Sequence, residues 1–385
     1  MPSIVLYVLP PALFFAAAWA ISNFLTDRSI ALANRRGLLA QVNERSSHRV
    51  PTPRAGGIGL FGAFVPLTLL LGFLYVVIQE KIVRLSPAEP FDWAGYGGML
   101  AAVALAFALG LWDDRGDPPA LAKLAGQLLI AAIVPLSGLY LRQIQIPFAG
   151  EVGLLEVPKI LGIAAAFVWV LVMMNVVNFM DGINGLAGNF GWLAGLGILV
   201  FAFNLPFAYD LVVLGAILCG ASLGFLRWNV PEAKTFLGDC GSQPLGAMVA
   251  AAALLFNKQW SGSVYPQSGQ QIQLSFLALL ILASPLIFDV AFTLVKRLAS
   301  GKNVLQAHRE HLYQRYLIAR GERHEEALAL VLSTLYGAGI CALIWARFSE
   351  PHQGAFRVLV LFALSITLWL YWFRTVKAER QARPI

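Results

Sequence analysis

The sequence predicts an all-α polytopic membrane protein, and two features of its composition carry that prediction. Of the 385 residues, 58% are hydrophobic and only 13% are charged, whereas a soluble domain carries about 25% charged residues. The apolar residues also fall into long unbroken runs, such as 94–111 and 160–177. A run of about 18–20 apolar residues is long enough to cross a bilayer as a helix. Because no soluble domain is visible in the pattern, residues 1–385 are predicted to form a single transmembrane domain.

Eleven apolar stretches are predicted to span the membrane. The first is interpreted as a spanning helix rather than a signal peptide, because it lacks a basic n-region and a small-residue cleavage site. The ninth contains Pro285 and Asp289, which predicts a kinked or broken helix. The stretches are 4–25, 56–78, 94–111, 120–140, 160–177, 186–203, 211–226, 243–256, 274–295, 327–346 and 356–372.

The positive charges of the loops set the predicted orientation. Six arginines follow the first span, seven Lys or Arg residues follow the ninth and four lie in the tail, whereas the alternate loops carry at most two each. The positive-inside rule places the first group in the cytoplasm, so the N-terminus is predicted outside and the C-terminus inside. The predicted cytoplasmic loops are 26–55, 112–120, 178–186, 227–242 and 296–326.

One loop on the opposite, periplasmic side has its own predicted structure. Two short alternating segments within residues 143–157 flank Ala149-Gly150. Alternation around a glycine-containing turn is typical of a β-hairpin. A small periplasmic hairpin is therefore predicted.

Carboxylates and amides at the ends of the spans are the first candidates for chemistry, because an ionisable group at membrane depth is costly. Asp113 and Asp114 follow the third span, and adjacent carboxylates suit metal binding or general-base catalysis. A solvated helix end is the alternative. Asn175, Asn178 and Asp181 share one helical face and could hold a base, a sugar or a hydrated metal. A polar contact between helices is the alternative there.

Later segments add a single carboxylate, two histidines and a basic entry to the second span. Asp239 lies between glycines just before a predicted helix, which favours a hard-metal ligand or, alternatively, a helix N-cap. His308 and His311 lie among arginines, which favours phosphate contacts over an ordinary exposed basic helix. Arg49 and Arg54 lie in a Pro- and Gly-rich segment that suits an anionic headgroup.

Taken in order, these motifs resemble the polyprenyl-phosphate N-acetylhexosamine-1-phosphate transferases, which are glycosyltransferase family 4. That family includes phospho-N-acetylmuramoyl-pentapeptide transferase, and the histidine segment is most similar to the branch that initiates O-antigen chains. The resemblance extends from about residue 43 to residue 315. The matching segments are 48–57, 113–114 with 123–127, 175–186, 229–242, 285–289 with Arg297, and 306–315.

The resemblance also implies a role for each candidate residue. Asp239 would be the principal Mg²⁺ ligand, with Mn²⁺ as an alternative cation, and the catalytic carboxylates would be Asp113, Asp114 and Asp181. The nucleotide-sugar pocket would contain Asn175, Asn178, Asn184, Asn229 and Phe236, with the Phe236 ring stacked on uracil. The phosphate-binding residues would be Arg49, Arg54, His308 and His311. Asn184 departs from the family pattern, because much of the family has an Asp there.

The reaction implied by the resemblance is transfer of N-acetylhexosamine-1-phosphate from a UDP-sugar to undecaprenyl phosphate, with release of UMP. It would initiate a bacterial cell-surface polysaccharide at the cytoplasmic face of the inner membrane, in a homodimer and without nucleic acid. Direct attack by the lipid phosphate and a covalent aspartyl intermediate both stay open. The sequence does not distinguish N-acetylglucosamine, N-acetylfucosamine and N-acetylquinovosamine.

Two other functional classes compete with this hypothesis. A secondary transporter places ionisable groups near the bilayer midplane and shows internal repeats, whereas here the groups lie toward one face and no repeat is visible. A membrane lipid-pyrophosphate phosphatase would need no nucleotide pocket. The asparagines and Phe236 therefore favour a nucleotide-sugar enzyme over both alternatives.

Overall fold

A computed structural model gives the architecture of the chain. It describes residues 2–36, 39–40, 51–81, 91–116, 118–145, 154–203, 208–262, 274–304, 306, 308–347 and 354–382. The helices are α1 Pro2–Arg36, α2 Gly56–Lys81, α3 Trp93–Gly116, α4 Ala120–Leu136, α5 Lys159–Met180, α6 Leu186–Phe203, α7 Tyr209–Leu226, α8 Asp239–Gly262, α9 Leu274–Ala299, α10 Leu312–Ala319, α11 His324–Arg347 and α12 Gly354–Ala382. The strands are β1 Leu39–Ala40, β2 Thr52–Pro53, β3 Gln143–Gln145 and β4 Leu154–Glu156.

The helices confirm the predicted fold class. Within the described residues, ten helices are long and apolar enough to cross a membrane, and α4 is a shorter apolar helix. Each of these eleven helices falls on one predicted span, while α10 is a short helix between two spans. The protein is therefore an all-α, multi-pass membrane protein.

Helix α9 is continuous from Leu274 to Ala299, so the predicted break is absent, while a kink at Pro285 stays a prediction. Proline at position 285 has no N–H to donate to the carbonyl of Ile281. The hydroxyl of Ser284 donates to that carbonyl at 2.6 Å instead. A side-chain hydroxyl can in this way satisfy the carbonyl that a proline leaves free within a spanning helix.

Helix α8 is the central element, and two neighbours approach it closely. About 94% of its spanning segment is buried inside the protein. A Cβ atom at Gly110 of α3 would lie 2.2 Å from the carbonyl oxygen of Asp239, and one at Gly246 of α8 would lie 2.4 Å from that of Met173 on α5. These contacts require small residues at the helix crossings. They bring the ends of α3 and α5 against the start of α8.

Two short antiparallel pairs lie outside the helices. Strand β3 pairs with β4, with Gln143 opposite Glu156, which agrees with the predicted hairpin strands, while its turn at 149–150 lies outside the described residues. The side of the membrane on which this hairpin lies stays a prediction. Strand β1 pairs with β2 just before α2 and so positions the chain that enters the site described next.

Candidate active site

The first residue of α8, Asp239, is the centre of a polar cluster. Gly238 precedes it with a φ of +74°, a backbone conformation that glycine adopts without strain. The Asp239 carboxylate accepts hydrogen bonds from Lys123 Nζ at 2.7 Å and from Asn178 Nδ2 at 2.9 Å. Helices α4, α5 and α8 therefore meet at this carboxylate.

Lys123 joins a second carboxylate to this centre. Its ammonium group forms an ion pair with Asp113 as well as with Asp239. All three side chains are only partly exposed to solvent. A single cation therefore lies between two anions in a setting where water screens the charges incompletely.

Asp114 has a different environment from its neighbour. Its Oδ1 accepts the backbone N–H of Asp239 at 3.1 Å, and its Oδ2 accepts that of Cys240 at 2.9 Å. Both N–H groups belong to the first turn of α8, which has no intrahelical partner for them. Asp114 is therefore an anionic cap that fixes the end of α3 to the start of α8, whereas Asp113 faces the lysine.

A layer of amides lies one helical turn beneath these charged groups. Gln127 donates to Gln243 at 3.2 Å and accepts from Asn175 at 3.2 Å. The three amides belong to α4, α8 and α5, the helices that carry Lys123, Asp239 and Asn178 above them. This layer holds the three helices in register, because residues three or four apart lie on one helix face.

Asp181 ends α5 beside the cluster. Burial raises the pKa of its carboxyl well above the usual range, the charges of Asp239 and Asp114 raise it further, and Arg54 opposes them. Arg54 lies on the chain that enters α2 and pairs with Phe236 in a β-bridge. The positive charge of Arg54 thus lies near enough to Asp181 to stabilise its ionised form.

The loop before α8 is braced by its own side chains. The side-chain Oδ1 of Asn229 accepts the N–H of Gly185 at 2.6 Å, and its Nδ2 donates to the backbone carbonyl of Thr235 at 2.8 Å. Phe236 joins this loop to the second span through its N–H, which donates to Pro53 at 2.8 Å, and its carbonyl, which accepts from Gly56 at 3.0 Å. Both ends of the buried Asn229 amide are therefore used to hold loop backbone.

Asn184 and Asn175 occupy different depths. The Asn184 amide reaches the carbonyl of Pro231 only at 3.5 Å, on the exposed side of the loop. Asn175 lies in the amide layer, where it also donates to the carbonyl of Leu171 at 2.9 Å. The nucleotide-binding roles expected for these asparagines stay predictions.

The histidine segment packs against the end of α5. Tyr313 donates its hydroxyl to the carbonyl of Phe179 at 3.0 Å, and the His311 ring lies 5.8 Å from the Phe179 ring between centroids. His311 Nδ1 lies 3.2 Å from Asp289. Burial and the nearby charges of His311 and Arg297 lower the pKa of His308 to about 4. Arg49 lies outside the described residues.

The donor set fits a hard cation that arrives with phosphate. Among the described residues, no three His, Cys, Asp or Glu side chains are grouped in a metal-binding arrangement. Mg²⁺ does not need such a group, because it is usually held by one or two carboxylates together with substrate phosphates and water. Asp113 and Asp239, which share Lys123, supply two carboxylates of that kind.

Comparison with known proteins decides the family. Residues 96–257, which include the cluster, match the model of glycosyl transferase family 4. The chain is 31% identical over 372 residues to the decaprenyl-phosphate N-acetylglucosaminephosphotransferase of Mycolicibacterium smegmatis, covering 93% of this chain and 87% of that protein. The chain belongs to glycosyl transferase family 4. It is a sugar-phosphate transferase of the polyprenyl-phosphate N-acetylhexosamine-1-phosphate transferase kind.

Other relatives of this glycosyl transferase family 4 member span more than one branch. It is 25% identical over 320 residues to a Bacillus subtilis protein named "Probable undecaprenyl-phosphate N-acetylglucosaminyl 1-phosphate transferase", covering 81% of this chain and 78% of that one. It is 27% identical over 275 residues to the phospho-N-acetylmuramoyl-pentapeptide-transferase of Chlamydia abortus, covering 64% and 74%. The family recognised from the sequence motifs is confirmed.

Sequence reasoning overlooked the role of Lys123 and of the amides beneath it. Lys123 is a lone cation near the start of an apolar helix, and such a residue by itself signals a partner. Gln127 and Gln243 gave a weaker signal, because an amide in a span is common as a contact between helices. The convergence of α4, α5 and α8 was needed to identify these residues as part of one site.

Proposed function

We propose that this transferase moves N-acetylhexosamine-1-phosphate from a UDP-sugar to undecaprenyl phosphate and releases UMP. The observation that carries the proposal is the Asp113–Lys123–Asp239 cluster, because it lies where α3 and α5 end and α8 begins. A site at the ends of spanning helices can receive a lipid phosphate from the membrane and a nucleotide from water. N-acetylglucosamine is the first sugar to test, since the mycobacterial and Bacillus relatives carry it in their names.

In the proposed reaction an oxygen of the lipid phosphate attacks the β-phosphorus of the UDP-sugar. A new phosphorus–oxygen bond forms, the bond to the bridging oxygen of the α-phosphate breaks, and UMP leaves with that oxygen. Asp113 accepts any proton that the lipid phosphate still carries, while Lys123 neutralises charge on the phosphates. Phosphoryl transfer needs mainly positioning and charge neutralisation of this kind.

Asp239 and Asp113 are the residues that would hold Mg²⁺ in the proposed site. When bound, Mg²⁺ would supply positive charge that reduces the repulsion between the phosphates and the attacking oxygen. Asn178 fixes the orientation of the Asp239 carboxylate through its amide, and Asp114 fixes the backbone beneath it. These two residues act on the position of the ligand rather than on the substrate.

The loop of Phe236 is the proposed uridine site. Its backbone is held on both sides, by Pro53 and by Gly56, so the main chain that carries the ring is fixed. An aromatic ring offers a stacking surface to a nucleobase. Arg54, on the adjoining strand segment, would meet the diphosphate, and Asn184 would lie at the rim of the pocket.

The proposed site faces the cytoplasm of a bacterial inner membrane. Support comes from the loop arginines and lysines, which by the positive-inside rule place the C-terminus inside and the N-terminus outside. Cysteines introduced beside Asp113, Asp181, Asp239 and His308 should resist membrane-impermeant thiol reagents in intact cells. Labelling of any one of them from outside would contradict a single cytoplasmic site.

An assay of UMP release tests the proposed reaction. Purified enzyme, undecaprenyl phosphate and Mg²⁺ are incubated with a panel of UDP-N-acetylhexosamines, and UMP is quantified. We expect UMP only when the lipid is present, with UDP-N-acetylglucosamine the best donor. Release of UMP without lipid would indicate a hydrolase, and no release with any donor, from enzyme that binds UDP, would refute the proposal.

A further inference from the structure

A buried carboxylate on α9 holds the start of the histidine segment. Asp289 is 0% exposed to solvent, in a helix that is otherwise apolar around it. The groups within hydrogen-bonding distance of its two oxygens are Leu312 N at 2.8 Å, Tyr313 N at 3.1 Å, Tyr371 Oη at 2.6 Å, Thr293 Oγ1 at 3.3 Å and His311 Nδ1 at 3.2 Å. A buried carboxylate is tolerated only with partners of this kind.

Capping alone does not require a charge at this position. The N–H groups of Leu312 and Tyr313 open α10, and a neutral Ser or Asn side chain caps a helix as well as Asp does. The imidazole of His311 is the partner among these that can carry a positive charge, which a carboxylate stabilises and a neutral amide does not. An ionised carboxylate only accepts hydrogen bonds, so the proton of the contact belongs to Nδ1 of His311.

This contact determines which ring nitrogen is left for a ligand. With Nδ1 occupied by Asp289, Nε2 is the remaining nitrogen of the nearly buried His311 ring. The ring lies against Phe179, the residue next to Asn178, whose amide holds Asp239. His311 is therefore attached to the end of α5 that carries the proposed phosphate site.

We propose that Asp289 is a positioning residue that accepts a hydrogen bond from Nδ1 of His311 and so directs the Nε2–H of the protonated ring to the phosphates of the substrate. The proposal rests on the proposed function, and it gives His308 and His311 different roles. The Nδ1 of His308 instead accepts the N–H of Glu310 at 3.3 Å, and the pKa of His308, about 4, keeps that ring neutral near pH 7. In the described part of the chain, Asp289 contacts His311.

A double-mutant cycle tests this assignment. Asp289→Asn keeps the shape of the side chain but offers one acceptor oxygen to the two α10 N–H groups, and it removes the negative charge beside His311. We expect kcat to fall at least tenfold, with the KM for the UDP-sugar within about threefold of wild type. In serine proteases the exchange of the aspartate beside the catalytic histidine for asparagine costs roughly 10⁴-fold in kcat.

The second arm of the cycle is His311→Gln. If Asp289 acts through His311, the Asp289→Asn, His311→Gln double variant should be no slower than His311→Gln alone, because the effects of coupled residues do not multiply. With His308→Gln in place of His311→Gln, the two effects should multiply. Tyr371→Phe removes a neutral donor from the same carboxylate and should stay within about threefold of wild-type kcat.

The proposal would be overturned if the losses of kcat caused by Asp289→Asn and His311→Gln multiplied in the double variant. It would also be overturned if Tyr371→Phe lost as much kcat as Asp289→Asn. Either result would leave Asp289 as a structural cap. Each variant is checked for UMP binding and thermal unfolding in detergent. If Asp289→Asn does not accumulate, Asp289→Glu takes its place in the cycle, because it keeps the charge and shifts only the position of the carboxylate. Failure of the wild-type enzyme to release UMP would count against the proposed function. If the wild type is active but the two losses of kcat multiply, only the positioning role of Asp289 is contradicted.

Discussion

Exchange of Asp114 for Asn should unfold the start of α8 as well as stop turnover, whereas exchange of Asp113 should only stop turnover. Asp114 accepts two N–H groups of the first turn of α8. The Asn amide keeps one acceptor oxygen, so one charge-assisted hydrogen bond of about 1.5–3 kcal/mol is lost. The charge at the helix N-terminus acts through these same N–H groups and is not counted again. The expected loss of stability is therefore about 1.5–3 kcal/mol.

Asp113→Asn is the matched control, because the two residues are neighbours on the same helix. Asp113 shares one lysine with Asp239, so its removal leaves a balanced Lys123–Asp239 pair and little change in stability. Thermal unfolding in detergent and UMP release are measured for both variants. Equal stability of the two variants would refute the assignment of Asp114 as the cap of α8.

Four further outcomes follow from the site. Asp239→Asn should insert and fold but lose turnover, and EDTA should abolish wild-type turnover until Mg²⁺ or Mn²⁺ is restored. Phe236→Ala should raise the KM for the UDP-sugar about ten- to a hundredfold, since stacking is worth about 1–3 kcal/mol per base and 1.4 kcal/mol is about a factor of ten, while the KM for the lipid stays unchanged. Lys123→Met leaves the Asp113 and Asp239 carboxylates without their shared cation and should lower stability by about 1–3 kcal/mol, and Mg²⁺ should raise the stability of this variant more than that of wild type. His308 has a pKa of about 4 in the folded protein and about 6.5 when unfolded, so wild-type stability should fall as the pH is lowered from about 6.5 toward 4, and less so in His308→Gln.

Each of these outcomes has a result that contradicts it. Substantial turnover by Asp239→Asn would show that Asp239 begins helix α8 but is not required for catalysis. An unchanged nucleotide-sugar KM in Phe236→Ala would make the ring a packing residue. Lys123→Arg retains the charge and serves as the control for Lys123→Met, so equal loss of stability in both would argue against charge balance. Parallel pH profiles of wild type and His308→Gln would place the acid-sensitive group elsewhere.

The spans were predictable from sequence because a bilayer requires about twenty consecutive apolar residues of any helix that crosses it. Each of the eleven predicted stretches overlaps one of the helices described above. The family was predictable because Asp113, Asp239 and the histidine segment interrupt apolar sequence at fixed places in the chain order. These patterns are local in the sequence, so they can be recognised without knowing how the helices pack.

What each candidate residue faces could not be read from sequence. Asp113 and Asp114 are adjacent, yet a helix turns by about 100° per residue, so one meets Lys123 and the other meets the start of α8. Asn229 lies in a loop that suggested ligand binding, but its amide spans two backbone groups. The distinction depends on the depth and rotation at which α3, α4 and α8 pack, which composition and spacing do not encode.

A donor labelled at the β-phosphorus tests the central claim of sugar-phosphate transfer most directly. UDP-N-acetylglucosamine carrying ³²P in the β-phosphate is incubated with the enzyme, Mg²⁺ and undecaprenyl phosphate, and the label is followed into the organic-solvent extract. We expect the label to enter the lipid fraction in a one-to-one ratio with the UMP released. Label recovered as inorganic phosphate or as water-soluble sugar phosphate, with unlabelled lipid, would contradict transfer of the intact sugar-1-phosphate.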